Sequence, residues 1–210
     1  LHFKLLYSYN SEGLLRIYNR GNKFVKKYVL AFFILAGLSS YALDNKQEVK
    51  AIDNFNAQKY LGDWYEIARI PFYFENQCKA PTKANYQPDG DDIAVTNSCM
   101  TDSGEIDVAH GMAYFMESVT TAKLKVTFVP AWLRFTHLGR GDYWVLYTDY
   151  QYALVGSPNH SYLWILSRSE SAESAQINKL LNIASNQGFD VNKLHFNYPQ
   201  ESNNLTYESK

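Results

Sequence analysis

A period of two governs the middle of this chain, and no other feature limits its fold so strongly. From residue 62 to 168, short runs alternate apolar with polar side chains and stop at turn formers, the pattern of strands rather than helices. It is clearest in Lys123-Leu124-Lys125-Val126-Thr127-Phe128. There Leu124, Val126 and Phe128 share one face, and Lys123, Lys125 and Thr127 share the other. Eight segments read this way: 62–70, closed by Pro71; 82–87 and 92–98, on either side of Pro88-Asp89-Gly90-Asp91; then 106–116, 122–129, 143–148, 152–156 and 162–168. With 17 Tyr, 12 Phe and 4 Trp, the chain is rich in the residues that favour strands and large cores. Short turns between segments call for antiparallel neighbours rather than crossover helices.

One helix follows the strands. Ile177, Leu180, Leu181 and Ala184 recur at i, i+3, i+4 and i+7, a narrow apolar stripe. Ser169 or Ser171 is the expected N-cap and Gly188 the expected stop. A ninth strand is expected over 194–198 and a polar tail over 200–210. The pattern predicts an all-β fold: an eight-stranded antiparallel up-and-down barrel with the helix packed outside, since closure removes the sheet edges. A two-sheet sandwich satisfies the same alternation.

The first 42 residues differ from the rest. Lys23, Lys26 and Lys27 precede an apolar run over 28–38, and Ser40 and Ala42 supply small residues after it. That is the layout of a secretory signal over 23–42, and the run is too short to span a bilayer comfortably. A short anchor or a buried core helix are the other readings. Residues 1–22 read as leader or gene-model overrun, and 43–53 as a loosely held polar lead-in. Of 20 basic and 21 acidic residues, six basic ones (Lys4, Arg16, Arg20, Lys23, Lys26, Lys27) and a single acid, Glu12, lie in the first 42. The remainder, with 14 basic and 20 acidic groups, carries a net charge of −6, and gives no reason to expect a nucleic-acid partner. The chain's two cysteines, Cys78 and Cys99, both lie in the exported part. An even count in an oxidising compartment, with both near matching positions of the hairpin about residues 88–89, predicts a disulfide.

Three motifs now stand in order. Tyr60-Leu61-Gly62-Asp63-Trp64-Tyr65-Glu66-Ile67-Ala68-Arg69, led in by Asn54-Phe55-Asn56, resembles the Gly-x-Trp first-strand motif of lipocalins in its bacterial form. Thr148-Asp149-Tyr150 is similar to the family's second motif, and Leu166-Ser167-Arg168 to its third. The resemblance covers a domain over 54–199. It implies that Trp64 closes the narrow end of the barrel with Arg168 lying across it, and that Gly62, Thr148, Asp149 and Tyr150 are structural. Cys78 and Cys99 resemble a pair found in part of the family. Bacterial members are often lipid-anchored through a cysteine that follows the signal. None follows the run here, so a soluble periplasmic or secreted protein is expected.

If Trp64 points inward, strand parity turns Glu66 and Ala68 inward too. Apolar parity adds Leu124, Val126 and Phe128. The resemblance adds Gly111, Ala113 and Phe115 from the fourth strand, Tyr143 and Val145 from the sixth, and Tyr162 and Trp164 from the eighth. Small residues among aromatics leave room for a fatty acid, a lysophospholipid or a similar lipid. Glu66 is the odd member, because a carboxylate in such a wall needs a partner. It reads either as an anchor for a ligand head group or as the partner of a nearby Tyr or Arg. No cofactor, metal site or catalytic residue is expected: there is no Gly-x-Ser-x-Gly elbow and no zinc-type cluster. The expected function is therefore carriage or storage of a hydrophobic ligand. A cavity enzyme and an envelope interaction module are the rival classes. Trp132, Leu133 and Phe135 are expected to cap the barrel mouth, or else to form an exposed patch that touches a membrane transiently. The oligomeric state is not legible in the sequence.

Overall fold

The alternating segments form strands β1 (Gly62–Arg69), β2 (Lys79–Asp89), β3 (Asp92–Met100) and β4 (Ile106–Phe115), then β5 (Lys123–Thr127), β6 (Arg140–Thr148), β7 (Tyr152–Gly156) and β8 (Leu163–Ser167). Each pairs antiparallel with its sequence neighbour, and β1 pairs with both β2 and β8. The sheet therefore closes into a barrel, which decides against the sandwich. A ninth strand, β9 (His195–Phe196), joins β1 at Ala68 and Arg69. The computed structural model describes residues 47–73 and 77–197. The expected leader, signal segment and tail lie outside the described residues, as do positions 43–46 of the lead-in and Tyr198.

Two β-bulges set which side chains face which way. In β1, Tyr65 and Glu66 pair with Ser167 and Leu166, but the next partner, Ile165, falls to Ala68, so Ile67 is the extra residue. In β6, Val145 pairs with Val155 while Tyr147 pairs with Leu154, which leaves Leu146 extra. An extra residue inverts parity beyond it. Ile67 and Leu146 already point outward by alternation and the β1 bulge sends Ala68 the same way, so that all three join Leu154, Leu163 and Ile165 in a core on the outer wall. Helix α2 (Ser174–Asn186) seals that core with the expected stripe of Ile177, Leu180, Leu181 and Ala184. It starts later than the serines suggested. Its N-cap is Glu173, without a side-chain cap bond, while Ser169 Oγ donates to Ser171 O. At the other end Gly188, at φ +83°, lets Phe189 N–H turn back to Ala184 O, the close that only a left-handed residue permits.

A second core fills one end of the barrel: Trp64, Ile93, Ala113, Leu124, Val145, Ala153 and Val155 pack with Phe55 and Tyr60. Tyr60 closes the short helix α1 (Ala57–Tyr60). The lead-in, expected to be loose, is held here. Val49 is buried, Ile52 N–H donates to Val145 O, and Ile52 O accepts from Ala122 N–H. Of the apolar residues in this otherwise polar stretch, Val49 joins the core on the outer wall, while Ile52 and Phe55 pack at the closed end.

The hairpin between β2 and β3 turns at Gly90-Asp91, with Asp89 facing Asp92, and not about residues 88–89. Strand β2 runs through Pro88 because it has passed the end of β1, whose first residue, Gly62, faces Tyr86. On that unpaired side a missing N–H costs nothing. A register shift between Lys79 and Thr82 compensates, and the Cys78–Cys99 disulfide forms with a Cα–Cα distance of 5.4 Å.

Candidate functional site: a lined hollow in the barrel

The closed end is a plug built on Trp64, which is fully buried. Its indole N–H donates to Tyr60 O at 2.8 Å. The Arg168 guanidinium lies 3.8 Å from the indole ring, a cation–π contact of about 0.5–2 kcal/mol. The same group donates to Asp63 O (2.7 Å), Lys59 O (2.8 Å) and Tyr150 O (3.2 Å). Three carbonyls and a ring thus take up one planar cation, whose pKa burial lowers from its ordinary value. Gly62 sits against it at φ +92°, with space for a Cβ 3.6 Å from Arg168 Nη1; its conformation, not crowding, calls for glycine. The turn beside it is tied by side chains. Asp149 Oδ1 accepts from Gln151 and Tyr152 N–H, Thr148 Oγ1 accepts from Tyr150 N–H, and Tyr150 OH accepts from Asn56 N–H.

Beyond the plug the barrel is hollow. A cavity of 540 Å³ lies within the size range of small-molecule sites. Its floor is a chain of phenols: Tyr60 OH meets Tyr143 OH at 2.9 Å, and Tyr143 OH meets Tyr86 OH at 2.8 Å. Burial raises the pKa of Tyr60 and Tyr143 well above the phenol value, so both stay protonated. One wall is aromatic. Tyr162, Trp164 and Tyr143 stack in sequence at 5.8 and 6.3 Å, and Phe72 meets Tyr162 and Trp164 edge-on. Elsewhere the wall is small, with Ala84, Ala109 and Gly141 among its residues. Large aliphatics at those positions would fill the space.

Glu66 faces this cavity and is buried with Arg69. Its Oε1 accepts from Arg69 Nη1 and from Asn197 Nδ2, the latter at 2.9 Å. Asn197 Nδ2 also donates to Glu66 O, and its Oδ1 accepts from Arg69 Nη1. Of the two readings of Glu66, the geometry supplies the internal partner. Asn197, 131 residues away in sequence, gave no signal of this.

The structure brings six of the twelve expected lining residues to the cavity: Glu66, Val126, Phe128, Tyr143, Tyr162 and Trp164. Ala113, Phe115, Leu124 and Val145 point inward but belong to the packed closed end. Gly111 pairs with Val95 on the inner face, with the Phe128 ring filling the space beside it. Ala68 is a correction: the bulge at Ile67 turns it to the helix side. Of the two expected places for the loop, Trp132 and Phe135 take the exposed patch and do not cap the mouth, while Leu133 is half-buried and does not line the cavity either. Phe72, Val129 and the disulfide stand there instead. Missing from the expectation were the lining residues of β2 and β3, among them Thr82, Ala84, Tyr86, Val95 and Asn97. Their alternation on either side of the Gly90 turn was the available signal.

A closed antiparallel barrel of eight strands, plugged at one end and hollow beyond, defines the class: a one-domain barrel built around a ligand-sized space. The model of a lipocalin-like domain matches residues 55–199. The chain is 39% identical to temperature-induced lipocalin-1 of Arabidopsis thaliana over 80% of its own length and 94% of that protein. It is 34% identical to the outer membrane lipoprotein Blc of Vibrio cholerae, covering 78% and 94%, and 35% identical to apolipoprotein D of Macaca fascicularis, covering 68% and 76%. Among solved structures, insecticyanin of the tobacco hornworm Manduca sexta superposes with a TM-score of 0.58 at 27% identity, covering 73% of this chain and 86% of that one. The chain belongs to the lipocalin family, whose barrels bind small hydrophobic ligands. Bacterial Blc proteins are among its relatives, in keeping with the form of its first motif.

Proposed function

We propose that this lipocalin is an exported carrier or store of a fatty acid, a lysophospholipid or a similar single-chain lipid, and that it catalyses no reaction. The observation that carries the reading is the hollow itself, 540 Å³ of space behind an aromatic wall. An acyl chain gains about 0.8 kcal/mol for each methylene withdrawn from water, so such walls bind tightly without a special contact. Because Glu66 already has Arg69 and Asn197 as partners, the wall offers the chain a neutralised pair. We place the polar head nearer the mouth. The two thiols that a cavity enzyme could use, Cys78 and Cys99, are joined to each other. Export to the cell envelope or beyond rests on the signal-like segment, and the description of the Blc relatives as outer membrane lipoproteins agrees with an envelope setting.

Trp164 is the natural reporter, since it lies in the cavity wall. Titration with dissolved palmitate or lysophosphatidylcholine is expected to change tryptophan emission saturably at one ligand per chain, and the W164F variant is expected to lose most of that change. Emission that ignores both lipids, in a folded protein, contradicts the carrier reading.

A further inference from the structure

The strands β5 and β6 are joined by a loop that the carrier reading does not use. It contains a 3-10 turn, Ala131–Thr136, and it is internally bonded. Leu133 N–H donates to Pro130 O, His137 N–H to Arg134 O, Thr136 Oγ1 to Leu133 O, and Arg134 Nε to Val129 O. A turn fixed in this way still exposes Trp132 at 72%, Phe135 at 79% and Leu138 at 69%. Three large apolar side chains held in water on one short loop mark an interaction surface rather than scattered surface hydrophobes.

Charge and position narrow the partner. From 129 to 141 the sequence carries Arg134, His137 and Arg140 and no acid, in a domain otherwise rich in acids. Trp and Phe beside cations make the composition that settles at a lipid–water interface, where rings enter the boundary and cations meet anionic heads. The feet of the loop are part of the cavity: Phe128 and Val129 on one side, Gly139 and Gly141 on the other, all line it. A surface touching this loop therefore lies against the mouth through which a ligand passes.

We propose that the β5–β6 loop docks the open end of the barrel on an anionic membrane surface, with Trp132, Phe135 and Leu138 entering the interface. This rests on the carrier reading for its purpose and not for its test. Vesicles brominated along the acyl chains probe it in the full chain, because quenching at position 132 is local, whatever else of the chain meets lipid. The native chain is expected to lose emission on brominated phosphatidylcholine mixed with phosphatidylglycerol. The loss should be several-fold greater than on brominated phosphatidylcholine alone, and smaller as salt rises. The W164F variant, without the cavity reporter, is expected to keep that loss, and W132F to lack most of it. Quenching unchanged in W132F, or absent from the native chain, overturns the proposal. An emission shift at Trp132 that follows protein concentration and ignores vesicles assigns the face to a second copy and overturns it equally. In either case the Trp164 response to dissolved palmitate stands or falls separately.

Discussion

Arg168 shows what one side chain does at the closed end. Its fork reaches Lys59 O, Asp63 O and Tyr150 O while its plane covers Trp64, so the start of β1, the turn after β6 and the end of β8 are held by one group. A lysine keeps the charge but not the planar fork. Arg168→Lys is therefore expected to lower unfolding free energy by about 1–3 kcal/mol, read as a drop in the denaturant midpoint with an unchanged slope. Glu66 makes the opposite case, a charge inside the wall. Glu66→Gln weakens its bonds to Arg69 and Asn197, and is expected to cost about 1–3 kcal/mol of stability while palmitate affinity stays within a few-fold. A large loss of affinity with stability intact would show instead that the carboxylate meets the ligand. That Glu66 needed a partner was legible in the sequence. Arg69, three residues on, was a visible candidate; Asn197 was not, because nothing local ties β9 to β1.

At the scale of elements, β4 and the segment after β5 fit closely. A Cβ at Gly111 would come within 2.7 Å of both the Phe128 ring and Thr127 O. The ring can swing, but the carbonyl belongs to the sheet. Gly111→Ala is expected to destabilise by about 1–3 kcal/mol and to displace Phe128 at the mouth, measured by thermal melts and by a weaker ligand response. The strands themselves were legible because alternation and turn formers are local signals, and six of eight were placed within two residues at both ends. What alternation does not encode is a bulge. Strict parity assigned Ala68 to the interior, and the extra residue at Ile67 turned it outward, where with Ile67 and Leu146 it meets α2. The same limit explains the hairpin. Pro88 reads as a turn residue, yet it extends β2, since β1 no longer borders it there. The loop 130–138 reads as apolar in the sequence, which leaves open whether it caps the mouth or faces outward. Its direction is set by the Arg134 and Thr136 bonds.

For the whole molecule the question is why the barrel is filled at one end and hollow at the other. Side chains from β2, β3, β5, β6 and β7, among them Tyr86, Ile93, Leu124 and Val145, pack in one core with Trp64, and the lead-in crosses beneath them. Toward the mouth the inner positions of β2 and β4 shrink to Ala84 and Ala109. The outer core under α2 and the core around Trp64 supply the packing, which leaves the rest of the interior for a guest. Closure is the expected solution for eight antiparallel strands, but alternation fits a sandwich equally, and it is the pairing of β1 with both β2 and β8 that decides. The extent of the hollow was not legible, because inward parity alone does not say whether a residue packs against protein or faces space. Native mass spectrometry of the purified protein, before and after incubation with palmitate or lysophosphatidylcholine, tests the hollow as a binding site most directly. The expected spectrum shows one lipid per chain, lost when Ala84→Trp fills the space in a barrel that still melts cooperatively. A bare chain under all conditions, or a lipid retained equally by the filled variant, contradicts it.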